Sequence, residues 1–135
     1  MKKLFLLFAL MFSPVFALAS GGGGCGTVHC EKAPVDLHNK ESLQNGAKIF
    51  ISYCLGCHTA KYLRYERMAQ DLEIDPKLVE QYMMFTTDKI GDGIDTKVNK
   101  KDQAKWFGNA PPDLSLETRF QSPDWVYTYL LNFYP

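Results

Sequence analysis

The 135-residue chain is predicted to fold as an all-α domain, and three observations carry that expectation. Several segments open on a capping residue and continue with apolar residues at helical spacing. No strand-helix-strand pattern is visible. The one chemically distinctive stretch, Cys54-Leu55-Gly56-Cys57-His58, sits at the end of such a periodic segment.

Residues 1–19 begin with Lys2 and Lys3, run through apolar residues and close on Ala17-Leu18-Ala19. A basic start, a short apolar run and a small-x-small end describe a secretory signal peptide cut after Ala19. An uncleaved anchor is the alternative, but Pro14 interrupts a stretch already short for a hydrocarbon layer of ~30 Å. Cleavage would remove two of 15 basic residues and none of 15 acidic ones, leaving a mildly acidic protein of about −2. Nothing in this balance suggests nucleic acid as a partner. A hydrophobic fraction of 46% and a charged fraction of 22% are ordinary for a globular protein and argue against wholesale disorder.

Residues 20–35 form a glycine-rich, flexible lead containing Cys25 and Cys30. In an oxidising compartment these two cysteines suit a disulfide, though the small loop limits its entropic effect. Free thiols and pairing with another subunit are the alternatives, and His29 reads as an exposed loop histidine. Residues 36–135 are expected to form one domain, within the usual size of a single core.

Asn39 caps a helix with Glu41 near its positive end. Leu43, Ala47, Phe50, Ile51 and Cys54 make its apolar face. Gly46 costs ~1 kcal/mol against alanine in mid-helix, which a close helix crossing would explain. Asp75-Pro76 starts another helix, with Leu78, Val79, Tyr82 and Met83 as the buried stripe. Residues 88–95, with Gly91 and Gly93, read as a loop. Residues 101–107 form a short helix ending at Gly108, with Trp106 and Phe107 packed inward. Pro111-Pro112 holds the chain extended and removes two amide donors. Ser122-Pro123-Asp124 opens a last helix whose Trp125, Val126, Tyr129, Leu130 and Phe133 form an apolar face, the expected partner of Gly46.

Two thiols three positions apart, followed at once by an imidazole, match the attachment pattern for c-type haem. Cys54 and Cys57 would each form a thioether to a haem vinyl group, and neutral His58 would supply the proximal nitrogen to iron. Two other readings compete. A thiol redox pair is expected beside a strand-helix-strand pattern. A zinc site joining Cys54 and Cys57 to Cys25 and Cys30 has the right ligand type, but its first spacing is wide and glycine-rich. The exported context favours haem. Arg64 suits a haem propionate, because a guanidinium matches a carboxylate, or else it is a surface arginine. Tyr62 and Tyr65 read as pocket walls, and the rigid Pro111-Pro112 segment as one lying against a haem edge.

The chain resembles the N-terminal part of bacterial cytochrome c1, the haem subunit of the quinol:cytochrome c oxidoreductase (bc1) complex. The resemblance rests on Ala33-Pro34-Val35-Asp36-Leu37, Gly46-Ala47-Lys48-Ile49-Phe50, Tyr53 through His58, Tyr62-Leu63-Arg64-Tyr65, residues 85–92, Trp106-Phe107-Gly108, residues 110–115 and residues 124–130. The attachment motif alone says only c-type cytochrome. The Pro-Pro-Asp-Leu-Ser segment in order with Tyr-x-Arg-Tyr points to this family.

The resemblance implies a cytochrome c-like haem domain carrying one covalent haem c. Electrons would pass from the Rieske iron-sulfur protein to a cytochrome c acceptor, beside cytochrome b, on the periplasmic side of the bacterial inner membrane. Such a chain is an electron carrier of the respiratory chain and not catalytic alone. Arg119 matches the first arginine of an Arg-x-Arg element whose second position is Gln121 here, which weakens the propionate contact that the family suggests. The family's second iron ligand is a methionine well downstream, followed by a membrane helix. The expectation is therefore a domain incomplete at its C-terminus. Met68, Met83 and Met84 read as core filling. The alternative function is a haem c sensor or ligand-binding protein with an open sixth iron position.

Overall fold

The computed structural model describes residues 24–133. The signal peptide expected over 1–19 lies outside them. Helix α1, Lys40–Ile49, begins where the Asn39 side chain accepts the Ser42 amide at 3.0 Å. Glu41 in its first turn and Lys48 in its last complement the helix dipole. The helix does not stop there but widens into a π-helical turn, Phe50–Cys54, closed by the Leu55 amide on the Phe50 carbonyl at 2.9 Å. Such widened turns are uncommon and frequently mark functional sites.

Strand β1, Ala60–Arg64, follows and pairs antiparallel with the short strand β2, Gly93–Ile94. The all-α expectation is corrected to this extent: the chain is mostly helical with a small two-stranded sheet. The Tyr62-Leu63-Arg64 segment is strand, and the expected 88–95 loop ends in one. Two strands this short pair because Gly93 permits it. A Cβ at Gly93 would stand 2.3 Å from the Lys61 carbonyl oxygen, an approach that only glycine allows.

Helix α2, Tyr65–Leu72, continues directly from β1 and ends at Glu73, which is left-handed at φ 56°. The carbonyls freed at its end are taken by side chains of α1: Lys40 Nζ bonds Asp71 O at 2.6 Å, and Gln44 Nε2 bonds Leu72 O at 2.8 Å. Helix α3, Pro76–Tyr82, is capped by Asp75 as expected. Its stripe is narrower than the spacing suggests. Val79 is fully buried and Met83 partly so, while Leu78 and Tyr82 are exposed.

Helix α4, Lys100–Phe107, starts at the Asn99 cap and ends at Gly108, φ 82°. Trp106 and Phe107 do not pack inward but stand exposed, edge to face with each other. A four-residue helix α5, Glu117–Phe120, leads to α6, Pro123–Leu131, capped by Ser122 on the Trp125 amide. On α6, Trp125 stacks on Tyr129, but Tyr129 and Leu130, and Phe133 just past its end, are largely exposed. The helix serves another neighbour. Glu31 donates its amide to Thr128 Oγ1, and Ala33 N–H and Lys32 Nζ both bond the Asp124 carboxylate. Part of the lead is thereby docked. Gly46 is not a crossing point, since a Cβ there would meet nothing within 4 Å.

The core comprises Ile51, Leu55, Ala60, Tyr65, Met68, Ala69, Val79 and Ile94, drawn from the π turn, β1, α2, α3 and β2. Phe50, Leu72, Met83 and Met84 pack around it. All three methionines in question thus serve the core. Among the described residues no helix is long and apolar enough to cross a membrane.

Gly93→Ala should lower stability by ~1–3 kcal/mol, because the strands must separate to admit the methyl group. Gly91→Ala, where a Cβ meets nothing within 4 Å, is the matched control. Urea unfolding monitored by circular dichroism checks both, and an unaltered midpoint for Gly93→Ala would contradict the close strand approach.

Candidate functional site

Residues 54–58 wrap around a single backbone oxygen. The Cys57 and His58 amides both donate to the Cys54 carbonyl, at 3.0 and 2.8 Å. Leu55, which follows Cys54, is 3% exposed and plugs the turn into the core. Cys54 and Cys57, three apart on such a turn, lie on one side of it. Both thiols are free and part-buried. Burial pushes the Cys54 thiol above its ordinary value.

The outward carbonyls of the turn are also held. Thr96 Oγ1 donates to Gly56 O at 3.1 Å, and Gln103 Nε2 donates to Cys57 O at 2.8 Å. Sequence reasoning missed both residues. Neither lies in a recognisable motif, and each acts across at least 40 residues of chain.

The His58 ring is fixed by the proline segment. Its Nδ1 lies 2.9 Å from the Pro112 carbonyl oxygen. A carbonyl can only accept, so Nδ1 carries a proton, and in the neutral ring Nε2 is then the nitrogen with the lone pair that a metal needs. The two segments are joined along their length. Thr59 and Asp113 form a parallel bridge, and the Leu114 amide donates to Thr59 O at 2.7 Å. The Asp113 carboxylate accepts from the Thr59 hydroxyl, the Lys61 amide and the Ser115 amide, while Tyr62 N–H donates to Ser115 Oγ. Burial raises the Asp113 carboxyl, but hydrogen bonds from Ser115, Thr59 and Lys61 outweigh it and hold the group well below the usual carboxylate range.

The structure therefore brings together Cys54, Cys57, His58 and Pro112. It places the other predicted residues around this group with separate partners. Arg64, exposed at the end of β1, bonds the Gly91 carbonyl at 2.8 Å. Tyr65 is fully buried in the core, its hydroxyl 3.2 Å from Thr86 Oγ1. Tyr62 is exposed, Pro111 is half-buried, and Arg119 is exposed on α5 with no ion-pair partner among the described residues. Cys25 and Cys30 meet in the N-terminal turn with Cα atoms 5.7 Å apart, a span that suits a disulfide. Among the described residues no group of three or more His, Cys, Asp or Glu side chains could hold a metal ion, so the four-cysteine zinc reading finds no site.

The donor set fits haem c. Two free thiols and an imidazole of defined tautomer share one turn, and large aromatic side chains next to it in the chain or on the helix bonded to it are left uncovered among the described residues. Tyr53, next to Cys54, is 81% exposed, and Trp106 and Phe107 stand on the helix that grips Cys57. A flat apolar macrocycle needs walls of that kind.

Comparison with known proteins agrees with this chemistry. The model of the Cytochrome C1 family matches residues 30–135. The chain is 50% identical over 134 residues to cytochrome c1 of Allochromatium vinosum, covering 99% of this chain and 53% of that protein. It is 42% identical over 130 residues to a protein of Nitrosomonas europaea named ammonia monooxygenase gamma subunit, covering 96% of this chain and 53% of that protein. The chain spans about half the length of the curated relatives it matches.

Asp113→Asn should cost on the order of 1 kcal/mol at neutral pH, since Asn cannot accept all three donors and the site is partly open to solvent. Because folding depresses the Asp113 carboxyl, its contribution is complete above the ordinary carboxylate value of about 4 and fades as pH falls below it. Stability measured from pH 7 down to pH 2 should therefore fall less steeply at the acid end in Asp113→Asn. Parallel curves for the two proteins would count against this role.

Proposed function

Because the chain belongs to the Cytochrome C1 family, we propose that it works as an electron-transfer subunit of a respiratory bc1 complex. Its cofactor is haem c, covalently bound, with one iron. Electrons would enter from the Rieske iron-sulfur protein and leave to a cytochrome c, with cytochrome b as the neighbouring subunit. The working position is the periplasmic side of a bacterial inner membrane, reached by export of the chain. Residues 36–135 are then the haem domain, or the part of one that this chain holds, and residues 20–35 its lead, closed by a Cys25 to Cys30 disulfide.

The observation that carries the reading is the hydrogen bond between His58 Nδ1 and the Pro112 carbonyl. It supports Nε2 as the iron ligand and ties the haem attachment motif to the Pro-Pro-Asp-Leu-Ser segment, one of the two segments that point to this family. Cys54 and Cys57 would hold the macrocycle through thioethers, and His58 would hold the iron. When bound, the group supplies one-electron redox chemistry at iron. The protein's own work is positional. The turn around Cys54 O spaces the two sulfurs, Pro112 O sets the imidazole, and the uncovered aromatics Tyr53, Trp106 and Phe107 would supply apolar surface to shield a bound macrocycle from water. The Pro111-Pro112 backbone, lacking two amide donors, can lie against an apolar edge without leaving a donor unsatisfied. Arg64 and Arg119 are the cations that the pocket reading and the family resemblance offer to propionates, and Tyr65 backs the site from within the core.

Expression with a cytochrome c maturation system, followed by haem staining of the denatured protein, tests attachment. The unaltered chain should stain, and Cys54→Ala with Cys57→Ala should abolish staining. Absence of stain in the unaltered protein overturns the reading. His58→Ala should retain the stain but change the visible spectrum. Rapid mixing of the oxidised protein with a reduced Rieske fragment should show electron uptake, and subsequent transfer to ferric cytochrome c. If the reduced protein instead passes no electrons and binds carbon monoxide readily, a ligand-binding role replaces electron transfer.

A further inference from the structure

Helix α4 attaches to the rest of the molecule in an unusual way. Its large apolar residues, Trp106 and Phe107, are exposed, and its one buried residue is Gln103, at 1% exposure. A buried amide costs free energy unless it is paired, and even when paired it contributes less to docking than a Leu or Met would. Burial of Gln103 is therefore better explained by its partner than by packing.

That partner is the Cys57 carbonyl, 2.8 Å from Gln103 Nε2. The Cys57 carbonyl and the His58 amide belong to the same peptide group. The amide side of this peptide is held by Cys54 O at 2.8 Å, and Gln103 holds the other side. With both ends tied, the peptide plane cannot rotate, and its rotation is what would swing the His58 Cα–Cβ bond. Thr96 Oγ1 holds the preceding carbonyl, that of Gly56, in the same manner. The ring itself is held at Nδ1 by Pro112 O. His58 is thus gripped at the ring by the proline segment and at the backbone by α4.

We propose that Gln103 is a positioning residue for the iron ligand: through the Cys57 carbonyl it sets the peptide plane from which His58 presents Nε2. The proposal rests on the haem reading given above. It predicts that removing the amide changes the bond between imidazole and iron without affecting thioether attachment, because the sulfurs lie on the Cys54 and Cys57 side chains whereas Gln103 bonds the Cys57 main-chain carbonyl.

The test uses the holo-protein. Gln103→Met keeps length and volume and removes the donor, and Gln103→Asn keeps an amide with a shorter reach. Thr128→Ala, which removes the buried hydroxyl that accepts the Glu31 amide on α6 and lies outside the core cluster that anchors the attachment turn, is a control for general destabilisation. Haem stain per protein should equal that of the unaltered chain in all three. The ferric EPR g-values and the midpoint potential should shift in Gln103→Met, shift in the same direction but less in Gln103→Asn, and stay in place in Thr128→Ala. Stained protein with unshifted g-values and potential in both Gln103 variants overturns the role of Gln103 while leaving the haem reading intact. Equal shifts in Thr128→Ala also overturn it, because they make the effect one of stability. An unaltered chain that retains no haem overturns both. If Gln103→Met does not fold, Gln103→Asn with Thr128→Ala decides by the same comparison.

Discussion

The site depends on one lateral pairing, that of residues 58–62 with residues 112–115. Asp113 is its centre. A single carboxylate accepts the Thr59 hydroxyl and two backbone amides, and the adjoining Leu114 amide closes on Thr59 O. Charge-assisted bonds of this kind are stronger than neutral ones, and several converging on one carboxylate fix its position. The consequence is felt one residue earlier in each segment, where Pro112 O meets His58 Nδ1. Without the pairing, nothing in the local chain would keep a carbonyl from residue 112 within reach of an imidazole at residue 58.

The apolar core is placed behind this arrangement and not within it. Ile51 and Leu55 on one side of the attachment turn, and Ala60 and Tyr65 on the other, pin both ends of residues 54–58 to the cluster shared with Met68, Val79 and Ile94. Burial of a side chain such as Ile51 or Leu55 is worth ~1.5–3 kcal/mol, so the turn is anchored by packing while its outward face remains available. The outward face is then shaped by polar contacts from distant elements: Thr96 beyond β2, Gln103 on α4, and the proline segment. Packing supplies the anchorage and directional hydrogen bonds supply the aim. The π-helical turn at Phe50–Cys54 belongs to the same economy, since the wider turn carries the chain from α1 into the motif without a loop.

Helix starts at Asn39, Asp75 and Ser122 were legible because capping is local. The side chain that makes the cap lies two or three residues from the amide it accepts. Inward and outward faces were less legible. Trp106, Phe107, Leu78, Tyr82 and Leu130 have the composition and spacing of a buried stripe, yet all are exposed. Periodicity identifies which residues share a helix face but not whether another element covers it. Gly46 failed for a related reason, as a glycine is compatible with a close crossing without requiring one. The sheet was missed because β2 has only two residues, and its pairing rests on Gly93 meeting Lys61 across 32 positions, a contact with no local signature.

Covalent chemistry is encoded by neighbours in the chain. Cys54, Cys57 and His58 need no tertiary information to be recognised, because the spacing of two vinyl-reactive thiols and the imidazole that follows is a property of one helical turn. The sequence by itself determined those three residues, the helix starts at Asn39, Asp75 and Ser122, and, through the motif segments taken in order, the family, but not helix α2, Tyr65–Leu72. Only the tertiary structure decided which nitrogen of His58 is free, what holds the Cys57 carbonyl, and why Asp113 follows the two prolines. The physical reason is that the tautomer of His58, the hold on the Cys57 carbonyl and the Thr59 bond to Asp113 come from partners 46 to 54 residues away in the chain, and hydrogen bonds over that separation exist only once the chain has folded.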